Sequence, residues 1–441
     1  MTTRSTARDR ATQHTVAVIG AGYVGLPTAA TLAHFGHTVA LAERDPARLS
    51  ALRSGRMPIV EVGLDDLVAG DVAAGTLSFT DSAIEAVAGA EFVFLCVPTP
   101  QSADGSADLS YVESAAKEIA AHLEPGAIVV NKSTVPVGSA TTVEQVIGRP
   151  DISVVSNPEF LREGTAVLDS LNPDRIVVGA DNPQAAARVG ELFSSTSSPL
   201  IVTDATTSET IKYASNAFLA TKLSFVNALA GLCEEVGADA RDVLLGLGYD
   251  KRIGFEFLRP GPGWGGSCLP KDTRALLHIA RESGYDFSLL AGAIASNDEQ
   301  LTRVVSKVEA ACGGSADGAT LAVWGLTFKA NTDDRRDSPS LQVSQRLRQL
   351  GATVQAFDPT VDAEADPPDD LLGLHLRADP YEAVTGARVL VVLTEWDEFR
   401  WLDFARVLAV MAEPRIVDAR NLLDPAAVRR MGFHYAGIGR R

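Results

Sequence analysis

Paired cysteines, an excess of positive charge and long apolar runs are all missing from this chain, and each absence removes a class of function. The 441 residues hold four cysteines, Cys96, Cys233, Cys268 and Cys312, with no CxxC or zinc-type spacing. That pattern argues against a cysteine-ligated metal site and against a disulfide framework in so large a chain; no metal is expected, and the reducing cytoplasm is the expected compartment. Lysine and arginine total 39 against 56 aspartates and glutamates, a net charge of −17. Such a balance does not suit a surface for nucleic acid or an anionic membrane, although a locally basic pocket for a small phosphate is compatible with it. Residues 1–13 are polar, lack an apolar h-region and read as a frayed tail, and no later run approaches the length needed to span a bilayer.

What is present reads as an α/β protein of two or three domains, since the length exceeds what one hydrophobic core usually organises. An apolar strand from Val16 to Ile19 runs into Gly20-Ala-Gly22-Tyr23-Val24-Gly25 and then into a helical pattern that stops at Gly36. Strand, glycine turn and helix together form a dinucleotide-binding signature, because the glycines let backbone approach a pyrophosphate and the helix start offers free N–H groups. Thr38 to Ala42 reads as a second strand ending at Glu43, placed to bind an adenosine ribose and to disfavour a 2′-phosphate, so NAD is expected over NADP even with Arg44 and Arg48 nearby. Apolar runs at Phe92 to Val97, Ile128 to Asn131, Ile152 to Val155 and Ile176 to Val178 extend a doubly wound parallel sheet. The loops that follow, Pro98-Thr99-Pro100, Lys132 to Pro136 and Asn157-Pro158-Glu159, are expected to face one cleft. Glu159 and Glu163 lie four apart and share a face if that segment turns helically, either as a base and its partner or as a solvated pair with Arg162.

From Ser208 to Val236 the pattern is one long helix, with Lys212 and Asn216 one turn apart, suited to an oxyanion if other groups converge there. Gly261 to Asp272, GPGWGGSCLPKD, is a tight loop around Cys268, followed at once by Lys271, Asp272 and a helix. A thiol so placed is a candidate nucleophile, and a buried structural cysteine is the alternative. Gly313 to Gly318 reads as a linker to another α/β segment, with strands at Thr320 to Trp324, Val354 to Phe357, Val389 to Leu393 and Ile416 to Val417, a helix from Pro339 to Leu350, and no glycine fingerprint. Lys329 and Arg336 follow its first strand, where a second nucleotide-type ligand or a plain charge cluster would fit.

The segments GAGYVG, VPTP, KSTVPVG, NPEFLREG, IKYASNAFLA, GWGGSCLPKD and FKANTDDRRDS resemble, in order and spacing, those of the nucleotide-sugar dehydrogenases over nearly the whole chain. The resemblance implies an N-terminal Rossmann-type NAD domain over 14–205, a central long-helix dimerisation domain over 206–312 and a C-terminal Rossmann-like sugar-nucleotide domain over 318–441. It implies four-electron oxidation of the C6 alcohol of UDP-glucose to UDP-glucuronate with two NAD. The implied catalytic set is Cys268 as nucleophile, Lys212 and Asn216 at the reacting oxygen, Asp272 assisting, Thr134 placing water and Glu163 as base. Cofactor contacts fall on Gly20, Gly22, Tyr23, Val24, Gly25, Glu43, Arg48, Pro98, Thr99, Thr134, Lys271 and Arg336. Substrate contacts fall on Glu159, Phe160, Leu161, Arg162, Glu163, Lys212, Asn216, Arg252, Phe257, Gly265 and Lys329, with Arg252 reaching the partner of a homodimer. Glu43, Val62, Asn131 and Ala228 depart from the residues common in the family, which leaves dTDP-glucose or GDP-mannose as alternative substrates. A two-electron 3-hydroxy acid dehydrogenase and a catalytically silent sugar-nucleotide binder are the readings from other classes; Cys268 argues against both.

Overall fold

The computed structural model describes residues 13–102 and 105–440, so the tail expected at 1–13 lies, but for Gln13, outside the described residues. The chain forms two compact units, residues 1–214 and 215–441.

The first unit is built on eight strands: β1 (Thr15–Ile19), β2 (Thr38–Ala42), β3 (Leu77–Thr80), β4 (Phe92–Leu95), β5 (Ile128–Asn131), β6 (Ser153–Ser156), β7 (Ile176–Gly179) and β8 (Leu200–Thr203). Their order is β3-β2-β1-β4-β5-β6-β7-β8. The central strands β4 and β5 are buried throughout because helices cover both faces, and they are apolar at every position but Asn131. One expectation needs correction: β7 meets β6 antiparallel, through Ser156 and Gly179, so the sheet is not parallel across its full width. The edge strands β3 and β8 escaped the sequence reading because they are four residues long and only partly buried.

The turn after β1 shows why its glycines are spaced as they are. Gly20 has φ +103°, and a Cβ there would stand 2.6 Å from the Cys96 carbonyl oxygen. A Cβ on Gly25 would stand 1.8 Å from the Gly20 carbonyl oxygen, so the start of the helix Gly25–His34 packs directly on the turn. Gly22 has nothing within 4 Å and leaves its side of the turn open. Tight turn, close packing and open approach are thus divided among three positions.

The second unit holds β9 (Thr320–Trp324), β10 (Thr353–Phe357), β11 (His375–Leu376), β12 (Val389–Val392), β13 (Arg415–Asp418) and β14 (His434–Gly437), in the order β11-β10-β9-β12-β13-β14 and parallel throughout. This is the doubly wound order of the dinucleotide-binding folds. One core cluster joins Val226 and Ala230 of the long helix, Leu301 to Val308 of the helix Ser288–Ala311, and the β9, β10 and β12 faces. Strands β11 and β14 were not anticipated; a two-residue strand carries no periodic signal.

The long helix spans Ala205–Val236, 32 residues, and the boundary between the units falls inside it. It is long and apolar enough, by length and composition, to cross a membrane, which corrects the expectation that no such run exists. Its polar residues are nevertheless buried with protein partners: Ser208 donates to Ser156, Lys212 to Glu159 and Ser224 to the Ala293 carbonyl.

The Gly25 contact gives a direct test. Gly25→Ala should lower stability by about 1–3 kcal/mol through overpacking against backbone that cannot yield, and should weaken NAD binding because the same turn is displaced; thermal unfolding with and without NAD reads both, and an unchanged melting temperature would contradict the packing described.

Candidate functional site

In the first unit the loops at the carboxyl ends of β4, β5 and β6 are tied to one another. Thr99 Oγ1 donates to the Thr134 carbonyl at 2.8 Å, Ser133 Oγ to the Val97 carbonyl at 2.7 Å, and Lys132 Nζ to Asn157 Oδ1 at 3.0 Å. The three loops expected to face one cleft are joined to one another, but a cavity of about 310 Å³ beside them is lined by Lys132 and by Asn157 to Arg162 and not by Pro98, Thr99 or Pro100.

The segment from Asn157 to Arg162 has no regular secondary structure and Glu163 lies in a turn, so Glu159 and Glu163 do not share a helical face as expected. Glu159 is fixed instead by other contacts. Its Oε1 accepts from Lys212 Nζ at 2.7 Å and its Oε2 from the Leu161 N–H at 2.6 Å. Both side chains of the Lys212–Glu159 pair are about 4% exposed. Burial pushes the Glu159 carboxyl up, but the Lys212 and Lys132 ammonium groups and these hydrogen bonds outweigh it and hold the group below its ordinary range. Burial lowers Lys132 to about 8, with Lys212 adding to the shift and Cys96 and Glu159 opposing it. Phe160 is stacked by the Arg175 guanidinium at 3.5 Å, while Arg162 pairs with Asp169. Glu61, beside the divergent Val62, accepts from the Gly164 and Ala166 N–H groups and so holds the end of this loop.

At the nucleotide turn, Glu43 Oε2 accepts from the Ala21 N–H at 3.1 Å and Oε1 from the Asp45 N–H at 2.9 Å. Its carboxylate therefore stands at the edge of the turn, where an adenosine ribose is expected. Arg44 pairs with Glu118, and Arg48 is exposed. Gly20, Gly22, Tyr23 and Val24 line the turn itself, half-buried, ahead of the helix N-terminus. Open space at Gly22, a helix N-terminus and an acid at the end of β2 fit a dinucleotide pyrophosphate and ribose. Asn131 is buried with neither amide atom paired among the described residues, and nothing in the structure explains it.

In the second unit Cys268 is the residue immediately before the helix Leu269–Glu282, half-buried, with its Sγ 3.4 Å from Ser267 Oγ. The start of a helix offers N–H groups and a positive dipole end to a thiolate. The other thiols differ: Cys96, Cys233 and Cys312 are buried, and burial pushes Cys96 up to about 12 and raises Cys312 as well. Asp272, fully buried, accepts from Asn216 Nδ2 at 2.6 Å and from Lys271 Nζ at 2.6 Å. Lys271, three residues beyond the thiol, is thus engaged with Asp272.

Residues that the sequence reading passed over hold the cysteine loop. Asn297 accepts from the Trp264 N–H at 2.8 Å and donates to its carbonyl at 3.0 Å. Asn227 accepts from the Gly261 N–H, Gln300 donates to the Gly261 carbonyl, and Trp264 Nε1 donates to Ser224. A Cβ on Gly265 would stand 2.1 Å from the Asp337 carbonyl oxygen, and Gly266 N–H donates to the Arg336 carbonyl, so the loop lies on the segment after β9. There Arg336 is held by Asp334 through paired bonds of 2.9 and 2.8 Å, and Lys329 stands over the Phe328 ring. Phe257 adopts φ +59°, and Arg252, exposed, pairs with Asp250. The signal that was available for the clamp was polar residues, Ser224 and Asn227, interrupting the apolar stripe of a helix.

Comparison with known proteins agrees with this arrangement along the chain. Models of the UDP-glucose/GDP-mannose dehydrogenase family match its NAD binding domain at residues 14–197, its central domain at 206–299 and its UDP binding domain at 322–425. The chain belongs to the UDP-glucose/GDP-mannose dehydrogenase family. It is 48% identical to a UDP-glucose 6-dehydrogenase of Rhizobium meliloti, over 96% of this chain and 99% of that one, and 45% identical to one of Pseudomonas aeruginosa, over 96% and 97%. A UDP-glucose dehydrogenase structure from Pyrobaculum islandicum superposes with a TM-score of 0.88 at 34% identity, covering 100% of both chains. Like the family, the protein is an NAD-dependent oxidoreductase acting on a sugar nucleotide, and the turn at Gly20 to Gly25 lies in the part of the chain that matches the NAD binding domain.

The paired bonds of Asn297 to the Trp264 backbone make the next prediction. Asn297→Ala leaves a buried N–H and a buried carbonyl without partners and should cost about 2–4 kcal/mol in denaturant unfolding. It should also speed alkylation of Cys268 by iodoacetamide, with Cys268→Ser as the blank; an unaltered modification rate would show that the clamp does not govern the thiol.

Proposed function

We propose that this protein oxidises the C6 alcohol of UDP-glucose to the carboxylate of UDP-glucuronate, using two NAD and one water, through a thiohemiacetal and a thioester on Cys268. The observation that carries the reading is the thiol: a half-buried cysteine at a helix N-terminus, on a loop held by buried amides, next to a fully buried Asp272. Near-complete alignment with relatives named UDP-glucose 6-dehydrogenase supports the choice of sugar nucleotide over dTDP-glucose or GDP-mannose.

The roles follow from each group's chemistry. NAD, when bound, would supply the hydride acceptor for both oxidations. Lys212 and Asn216, one turn apart on the long helix, stabilise oxyanions at C6, with Glu159 orienting the first and Asp272 the second. Cys268 Sγ adds to the aldehyde carbon to form the thiohemiacetal, whose loss of hydride leaves a thioester. Thr134 places a water and Glu163 takes its proton; the water oxygen bonds to the carbonyl carbon, and the C–S bond breaks to return the thiolate. Residues 14–205, 206–312 and 318–441 would serve as NAD, central and UDP-sugar domains, with Phe160, Leu161, Arg162, Phe257, Gly265 and Lys329 on the substrate and Pro98, Thr99, Arg48, Lys271 and Arg336 toward the cofactor. The protein works in the cytoplasm as a soluble homodimer in this reading. Phe218, Phe225 and Leu232 support the dimer: they recur every seven residues along the long helix and are 70%, 59% and 56% exposed. Arg252, whose side chain is 89% exposed, would act in the partner's site.

A panel of UDP-glucose, dTDP-glucose and GDP-mannose with NAD or NADP tests the reaction. UDP-glucose with NAD should give two NADH per substrate, with NADP poorer because of Glu43, and Cys268→Ala should fall by several orders of magnitude while still binding both ligands. One NADH per substrate, or normal acid formation by Cys268→Ala, would overturn it. For the assembly, Phe225→Asp should convert a sedimenting dimer to monomer and lower activity with it; a dimer that survives would place the interface elsewhere.

A further inference from the structure

The first turns of the long helix are fastened to the carboxyl edge of the first sheet at three points, and the known chemistry of the site accounts for only one of them. Ser208 Oγ donates to Ser156 Oγ at 3.0 Å, at the end of β6. Lys212 reaches Glu159 in the loop beyond it. Between them Glu209, about 2% exposed, turns to a different loop: Oε2 accepts from the Gly138 N–H at 2.6 Å and Oε1 from the Ala140 N–H at 2.9 Å. Those two N–H groups belong to the start of the helix Ser139–Ile147, which follows directly on Lys132 to Val137. A carboxylate that uses both oxygens on a helix start, inside the protein, is a strong and directional fastening.

The segment it closes has its other anchors at the far end. Ser133 Oγ donates to the Leu95 and Val97 carbonyls, and Thr99 Oγ1 donates to the Thr134 carbonyl. Ser139 Oγ, donating to the Pro136 carbonyl at 2.6 Å, joins the segment to the helix start that Glu209 holds. Thr134 is therefore stretched between the β4 loop on one side and Glu209 on the other. Glu209 and Lys212 are three residues apart on one rigid helix, so the depth at which Glu209 holds the segment is registered against Lys212.

We propose that Glu209 is a positioning residue for the hydrolytic half of the reaction, setting Thr134 relative to Lys212 through its two bonds to Gly138 and Ala140. The proposal rests on the reading above that Thr134 places the water that attacks the thioester. Removing the carboxylate lets the 132–138 segment drift while leaving Cys268, the nucleotide turn and the Lys212–Glu159 pair as they are. The first oxidation and capture of the aldehyde then proceed, and release of the acid slows.

The experiment compares wild type, Glu209→Ala and Glu209→Gln, each confirmed folded by circular dichroism and NAD titration. Carbon-labelled UDP-glucose and NAD are mixed under single turnover, quenched in acid, and scored for NADH formed and label attached to protein. Wild type should show two NADH and a transient label. Glu209→Ala should form two NADH at a rate near wild type but retain label on Cys268 and show steady-state turnover lowered about 10- to 100-fold, with KM for UDP-glucose falling alongside it because the steps up to the thioester keep their rates. Glu209→Gln keeps one acceptor oxygen, should fold even where the alanine variant does not, and should fall between the two in label retention. Retained label in the folded variants supports the proposal. A folded variant that releases acid as fast as wild type overturns it, as does one whose NADH formation and acid release fall equally with a raised KM, which is general loosening. A wild type that gives one NADH and no labelled protein overturns the thioester reading itself and takes this proposal with it, an outcome distinct from failure of the variants alone.

Discussion

Two opposite charges, Lys212 and Glu159, lie 2.7 Å apart with almost no solvent, and much of the first unit's functional geometry follows from them. Taking an ammonium and a carboxylate out of water costs several kcal/mol each, recovered only by close approach and by filling the remaining hydrogen-bonding capacity. The Leu161 N–H fills part of it on the carboxylate. A pair of this kind contributes little net stability, but removing one partner strands the other, so the structure tolerates few arrangements of the helix against the loop. That intolerance suits a site in which an ammonium must meet a developing oxyanion at a fixed place.

The helix transmits that constraint along its length. A 32-residue helix whose composition would let it cross a membrane is made specific by the polar residues placed on it: Ser208, Glu209 and Lys212 near its start, Asn216 bonded to Asp272, Ser224 and Asn227 bonded to the cysteine loop. Each buried polar group demands one partner, so each removes a freedom of rotation or sliding that an apolar stripe would leave open. The apolar positions provide adhesion, and the polar ones provide registration.

Much of this was legible in the sequence where the signal was local. The turn at Gly20 to Gly25, the second strand ending at Glu43, the long helix and the loop around Cys268 all declare themselves through glycine, proline and apolar period. The irregular course of Asn157 to Arg162 was not, because Glu159 and Glu163 at a spacing of four fit a helix as well as they fit an ordered loop; what decides is Glu159 capturing Lys212 and the Leu161 N–H, contacts between positions far apart or internal to the loop. The reversal of β7 was hidden for a similar reason, since Ile176 to Gly179 reads the same in either direction. Asn227, Asn297 and Gln300 carry no motif at all: their role exists only once the backbone of Gly261 and Trp264 has been brought to them.

The two sheets show how one device supports two different sites. In each unit a carboxylate at the end of the second strand captures N–H groups just after the first: Glu43 takes that of Ala21, and Asp358 takes those of Leu326 and Thr327. The turns agree at their first glycine: Gly20 has φ +103° and Gly325 φ +91°, and a Cβ on either would clash, with the Cys96 carbonyl oxygen or with Thr394. They diverge two residues on, where Gly22 has nothing within 4 Å and Thr327 stands fully buried. The first turn therefore keeps room for a pyrophosphate to approach backbone, and in the second that position carries a side chain, on a residue whose carbonyl accepts from the Thr394 hydroxyl. With that approach filled, a nucleotide in the second unit must be recognised by side chains beyond the turn, where Lys329 and Arg336 lie, and by the backbone of a segment that also carries the cysteine loop. Equivalent strand order thus yields an open turn in one unit and a filled one in the other, and the difference rests on the side chain that Thr327 has and Gly22 lacks.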